Sequence, residues 1–393
     1  MLKVDFVKKI GILTHPLHQN YGGLLQAYAL QLVLTRMGYS PIIIDRQHGY
    51  LPQWRKLASP LKTLLLKSIG KNRPFTYFPT QREKSLVAQH TDYFIKKYIQ
   101  PKSDRLYTSK RFLDFVNQER FDAFVVGSDQ VWRPRYSPHL PTYFLDFVEE
   151  NKEVKKITYA ASFGVDTWEF SKSETRMAQR LAPLFDAISV REDSGVSLCK
   201  EYLKVDAQHV LDPTLLLAKE DYIALFEAEN ESRSEGDLFT YILDATTSKS
   251  EIIAQVANEL SLTPFAVQAK MNKRSRKNYK HHIDDLIVPP VTKWLRAFYD
   301  AKFVVTDSFH GCVFSILFNK PFIAIGNHDR GLARFNSLLS NFNLENRLTF
   351  EDSDSIDREQ RIKSKIDWDS VNSNLTNKKE YSLRFIRGNL YEE

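Results

Sequence analysis

The chain is poor in cysteine: Cys199 and Cys312 are the two present among 393 residues. A disulfide framework is therefore excluded, and a reducing compartment fits best. No apolar run approaches the ~20 residues needed to span a bilayer. The first nine residues lack the apolar core and cleavage site of an export signal, so a cytoplasmic location is expected. Internal repeats, low-complexity tracts and the glycine patterns of dinucleotide and P-loop sites are also missing. No nucleic-acid motif is recognisable, so no nucleic-acid partner is expected.

What is present describes an ordinary globular protein, 42% hydrophobic and 26% charged. Its length favours two domains over one core. A formal charge of +7 suits anionic ligands in general and names none. The densest basic run, residues 270–282, holds Lys273, Arg274, Arg276, Lys277 and Lys280. No apolar face accompanies it, so it reads as a solvated loop. Its functional alternative is a peripheral rest on an anionic membrane surface or a grip on a lipid-linked diphosphate.

Short apolar runs at residues 9–14, 41–45, 124–126, 156–162, 187–191 and 210–213 read as strands. Each ends in small or polar residues, as strands do at the ligand-facing edge of a parallel sheet. An amphipathic helix opens near Leu24 and closes at Gly38, which makes a βαβ unit. Residues 46–120 carry no clean strand and read as a helical insertion, with Phe75, Tyr77, Phe78, Tyr93, Phe94 and Tyr98 packing a satellite core. Residues 227–237 are polar and acidic and read as a linker. A second series follows at 239–243, 265–267, 303–306 and 321–325, with a helix over 250–260. The expected architecture is α/β, with two Rossmann-like lobes at 1–226 and 237–350. A charged, partly helical tail over 351–393 follows, and a substrate cleft between the lobes.

The segment Val304-Val305-Thr306-Asp307-Ser308-Phe309-His310-Gly311 carries the most information. A strand here turns into a helix, so free backbone N–H groups at the sheet edge favour an anion. Ser308 can cap that helix, Gly311 allows close approach, and His310 supplies a titratable group. Asp129, Gln130 and Trp132 offer a carboxylate, an amide and an indole, which together suit a sugar. The alternative is a turn beside a core tryptophan. Asn20, Gly22 and Gly23 form a loop and helix start facing the same cleft. Arg191 can hold a carboxylate or phosphate bidentately, or else pair with Glu192 or Asp193. Arg330 and Arg334 lie four apart and share one face if helical. Cys312 reads as a small core residue. His281-His282 with Asp284-Asp285 do not converge as metal ligands do, and no metal is expected.

Four blocks together resemble the polysaccharide pyruvyltransferase family. They are Asn20-Tyr21-Gly22-Gly23-Leu24-Leu25-Gln26-Ala27-Tyr28, Gly127-Ser128-Asp129-Gln130-Val131-Trp132, Ser189-Val190-Arg191-Glu192, and Thr306-Asp307-Ser308-Phe309-His310-Gly311 continued by Asn319-Lys320-Pro321-Phe322. The resemblance implies a GT-B-like fold, with the first lobe on the acceptor side and the second on the donor side. It implies transfer of pyruvate from phosphoenolpyruvate to a cell-surface polysaccharide or its lipid-linked precursor, as a ketal. The implied partners are that co-substrate and the glycan, with no cofactor or metal. His310 matches the family histidine, and Asp129 is the candidate base or acceptor contact. Arg191, Ser308, Gly311, Arg330 and Arg334 fall on the donor side. Asn20, Gly22, Gly23, Gln130 and Trp132 fall on the acceptor side. Many members carry arginine where this chain has Ser308, and some an acidic residue at Gly23. A GT-B glycosyltransferase with a nucleotide-sugar donor is therefore the alternative.

Overall fold

The computed structural model describes residues 7–49, 79–270, 282–326 and 331–390. Phe75, Tyr77, Phe78, His281, Arg330 and residues 271–280 of the basic run lie outside the described residues.

In the first lobe, β1 (Lys9–Leu13), β2 (Ser40–Ile43), β3 (Ala123–Val126) and β4 (Lys155–Thr158) form a parallel sheet in the order β2-β1-β3-β4. Two short strands, β5 (Ser189–Val190) and β6 (Gln208–His209), extend it. Single bridges, Ile157 to Ala187 and Ala161 to Val190, make the join. The second lobe holds β7 (Leu238–Tyr241), β8 (Pro264–Ala266), β9 (Phe303–Thr306), β10 (Phe322–Ile325) and β11 (Leu348–Thr349). They are all parallel, in the order β11-β10-β9-β7-β8. The apolar runs of β3, β7, β9 and β10 are buried throughout because helices cover both faces of each sheet.

The lobes meet with their carboxyl edges facing. Tyr21 of the first lobe donates through its hydroxyl to the Pro289 carbonyl at 2.9 Å. The Asp193 amide donates to the Ser337 hydroxyl at 3.1 Å. The helix Phe309–Leu317 is buried along its whole length at this junction. Its Phe314 packs edge-on against Tyr222 at 5.0 Å and Trp294 at 5.1 Å.

Four expectations need correction. The strand expected at 210–213 lies earlier, at β6, because Asp212 instead caps the short helix Pro213–Leu216 through the Thr214 amide. Gly22 and Gly23 are not loop residues. The helix Tyr21–Arg36 already contains them, because Asn20 caps it by accepting from the Gly23 amide at 3.3 Å. The last span is no simple tail. The helix Trp368–Leu390 returns to the first lobe, where Phe385 nears Tyr159 and the Ser382 hydroxyl accepts from the Leu211 amide at 3.0 Å. Its apolar face, Val371, Phe385, Ile386 and Leu390, drives that return by burial. Within 46–120 the described part holds the helices Gln81–Tyr98 and Ser109–Glu119, but its linking chain also bridges the sheet edge at Lys102 and Leu106.

Candidate active site

Strand ends far apart in sequence bring charge together at the interlobe edge. β3 runs into Asp129, β5 into Arg191 and Glu192, and β6 is followed by Asp212. Arg191 is 4% exposed and stands at the centre. Its Nη1 donates to Asp212 Oδ2 at 2.8 Å, and its Nη2 to Asp129 Oδ1 at 3.3 Å. Its Nε lies 3.5 Å from Glu192 Oε1, and its guanidinium covers the Phe309 ring at 4.5 Å. One cation thus serves three carboxylates.

The second lobe adds the start of the helix Phe309–Leu317. Ser308 caps it by accepting from the Gly311 amide at 3.4 Å. Gly311 is obligatory there, since a Cβ would fall 2.1 Å from Thr306 Oγ1. His310 points across the lobe boundary, with its Nε2 3.6 Å from Asp212 Oδ2. Its ring lies flat against Gly22, where a Cβ would stand 2.0 Å from Nδ1. Any side chain at position 22 would expel the imidazole, which is a physical reason for glycine in the first turn of that helix.

Asp129 holds φ at 70°, a left-handed conformation that costs a non-glycine residue roughly 1–2 kcal/mol. Both of its carboxylate oxygens have partners. Oδ1 takes Arg191 and the Gln130 amide, and Oδ2 lies 3.7 Å from His15 Nδ1. Burial alone would raise the Asp129 carboxyl, but His15, Arg191, His310 and Arg334 outweigh it and hold it well below the usual carboxylate range. Asp212 behaves alike: burial opposes ionisation, and His310 and Arg191 more than offset it. Glu192 goes the other way, raised by burial despite Arg191 and its bond with the Ser162 hydroxyl.

Arg334, on the helix Ala333–Ser340, reaches this cluster. Its guanidinium carbon is 5.9 Å from the Phe309 ring centre. Burial, then repulsion from Arg191, lowers it to about 10, so it remains a cation at neutral pH. Glu192 and Asp129 offset part of that repulsion.

Two expected roles do not survive this geometry. Of the two readings open for Arg191, donor clamp or ion pair with Glu192 or Asp193, the structure shows the ion pair, and its guanidinium is committed to three carboxylates and an aromatic face. Trp132 was expected to stack on a sugar, but it is fully buried, stacked on Phe144 at 4.9 Å and bonded through Nε1 to the Tyr143 carbonyl. Gln130 is half-buried, and its Oε1 accepts from Arg133 at 3.1 Å. Asn20 is exposed and acts as a cap. His15 and Asp212 join the cluster though no motif singles them out, and Glu192 entered the sequence reading only as an alternative partner for Arg191. The signal was that each follows a strand end. A surface hollow of about 490 Å³ near Lys8, Arg120 and Lys155 opens at the opposite edge of the first-lobe sheet and shares no residue with the cluster.

The two parallel sheets facing across an interlobe site define a GT-B-type fold. One solved structure supports that fold. A UDP-GlcNAc 2-epimerase from Methanocaldococcus jannaschii matches with a TM-score of 0.50 at 12% identity, over 97% of this chain and 100% of that one. Another from Neisseria meningitidis, bound to UDP-GlcNAc, gives 0.46 at 11% identity over 96% and 93%, which is too weak a likeness to carry an argument. At such identities the likeness speaks for the fold alone. A family profile described as polysaccharide pyruvyl transferase matches residues 20–329, and the chain belongs to that family. A comparison with curated proteins gives no match.

Proposed function

We propose that this chain transfers pyruvate from phosphoenolpyruvate to a sugar of a cell-surface polysaccharide or its lipid-linked precursor, forming a pyruvyl ketal. The observation that carries this reading is the family match, which spans both lobes and every residue of the charged cluster except His15 and Arg334. The geometry supports it. The donor is a small dianion or trianion, and the His310 helix start with Arg334 is the cationic side of the cluster.

Ketal formation needs a proton at the donor methylene carbon, stabilisation of the positive charge that follows at the central carbon, and removal of hydroxyl protons. In this reading His310 gives the carbon its proton, with the Asp212 carboxylate 3.6 Å from its Nε2. Arg334 takes the place of the arginine that relatives carry where Ser308 stands. The buried carboxylates Asp129 and Asp212 face the developing positive charge, which they stabilise without moving. The reaction uses no metal and no cofactor.

Among the described residues no helix is long and apolar enough to cross a membrane. A cytoplasmic enzyme that meets a lipid-linked acceptor at the inner membrane face fits the reading. The test is product chemistry. The chain is incubated with phosphoenolpyruvate and a panel of free, nucleotide-linked and lipid-linked sugars, and proton NMR follows phosphate release and the new ketal methyl signal. Ketal formation supports the proposal. Transfer from a nucleotide sugar, with phosphoenolpyruvate inert, would establish the glycosyltransferase alternative instead.

A further inference from the structure

His15 follows β1 by two residues and stands at the same sheet edge as Asp129. Its side chain is 11% exposed, its Nδ1 lies 3.7 Å from Asp129 Oδ2, and its Nε2 is buried without a hydrogen-bond partner. From the other lobe, His310 also faces a carboxylate, but through Nε2 itself, while its Nδ1 lies against Gly22. Its Nε2 faces Asp212 Oδ2 at 3.6 Å and is likewise without a hydrogen bond. Arg191 bonds both carboxylates, to Asp212 at 2.8 Å and to Asp129 at 3.3 Å. The site therefore holds two imidazole–carboxylate pairs, one histidine from each lobe, joined through one guanidinium. Buried nitrogens that lack a hydrogen bond are rare in folded proteins and call for an explanation.

We propose that His15 is a second catalytic residue, the base that takes the proton of the attacking acceptor hydroxyl, while His310 serves as the acid on the donor side. This rests on the pyruvyl-transfer reading above and assigns its second proton. The first-lobe carboxylates are poor bases for the task. Asp129 and Asp212 are held too acidic to accept a proton near neutral pH, and Glu192 is enclosed behind Arg191 and Ser162. An imidazole suits it, and an adjacent carboxylate stabilises the imidazolium that forms. The charged and titratable groups around His15 are Asp129 and, towards the surface, His48, with Arg191 and Arg334 behind Asp129.

The methylene carbon of phosphoenolpyruvate takes a proton from the His310 imidazolium as the carbon–carbon π pair becomes the new C–H bond. The acceptor oxygen bonds to the central carbon, and its proton passes to His15. The bond from that carbon to the phosphate oxygen breaks, and phosphate leaves with the pair. The second hydroxyl closes the ketal, and its proton restores the His310 imidazolium. His15 returns its proton to phosphate or solvent.

The test compares the full chain with His15→Gln, using phosphoenolpyruvate and the sugar panel. Calorimetry is expected to show phosphoenolpyruvate affinity within about threefold of the parent. The rate with acceptor is expected to fall by roughly 10²–10⁴. The acidic limb of the kcat/KM profile, where a base must lose its proton, is expected to disappear. Imidazole added to His15→Ala is expected to restore part of the rate. Unchanged turnover in His15→Gln overturns the role of His15 and leaves pyruvyl transfer standing. Loss of donor binding together with folding makes His15 structural and also overturns it. A parent chain that neither binds nor consumes phosphoenolpyruvate overturns the functional reading itself, and this assignment with it.

Discussion

Two buried ion pairs make an instructive contrast. Lys249 and Asp307 pair at 2.8 Å in the second lobe, with side chains 1% and 2% exposed. Arg191 and Asp212 pair at the same distance in the first, both 1% exposed. By burial and length they are alike. Their surroundings differ. Asp307 accepts from the Leu243 amide at 2.6 Å, the Asp244 amide at 3.1 Å and Lys249, so its oxygens are occupied and the pair locks the ends of β7 and β9 together. Arg191 instead faces three carboxylates and stands between two histidines that each carry a nitrogen without a hydrogen bond. Buried charge alone does not mark a site. Buried charge with imidazole nitrogens still open to a partner does.

The largest effect that separates the two regions is on rate. His310→Ala is expected to lower pyruvyl transfer by about 10²–10⁴ while circular dichroism and the melting temperature stay near those of the parent. A near-normal rate would reduce His310 to packing and erase the distinction. Next come the paired cations. Arg191→Ala and Lys249→Ala each leave buried carboxylate uncompensated, and urea unfolding should show a loss of about 3–5 kcal/mol for either. The folded fraction of Lys249→Ala is expected to keep its kcat, whereas that of Arg191→Ala is not. Equal effects on kcat would mean that the two networks serve the same purpose.

A smaller effect concerns pH. Asp129 and Asp212 have folded-state pKa values below their unfolded ones, so their stabilisation is complete above the ordinary carboxylate range and is lost as pH falls through the depressed values. Melting temperature followed from about pH 6 downwards should therefore decline, and Asp212→Asn should decline less steeply. The smallest effect is at Ser308. As a cap bonded to the Gly311 amide it contributes about 0.5–2 kcal/mol, and Ser308→Ala should cost stability of that order with little change in donor KM. A large rise in donor KM would mean that Ser308 also contacts the donor.

Much of the fold was legible because parallel strands buried on both faces are short apolar runs that end in small or polar residues. β9 is the clearest case, followed at once by the Ser308 cap and the Gly311 contact with Thr306. Placement was legible where local chemistry determined it, with His310 at a helix start after a strand end and Arg334 close behind the next one. It was illegible where long-range pairing did. No spacing in the chain says that Asp129, Glu192 and Asp212 share one guanidinium, since sheet order brings them together. His15 lies just past the apolar run 9–14 and belongs to none of the motifs. Trp132 looked like a sugar platform because an indole in a core and one in a cleft are the same letter, and only the stacking on Phe144 distinguishes them.

The central claim is that an anionic pyruvyl donor binds between the lobes, against the His310 helix start and Arg334. Calorimetry of phosphoenolpyruvate with the parent and with Arg334→Ala tests it most directly, with a nucleotide sugar as the control ligand. Saturable binding by the parent is expected, weakened at least tenfold in the variant, with a corresponding rise in donor KM and a smaller change in acceptor KM. Tight binding of the nucleotide sugar, with no heat from phosphoenolpyruvate, would contradict the account.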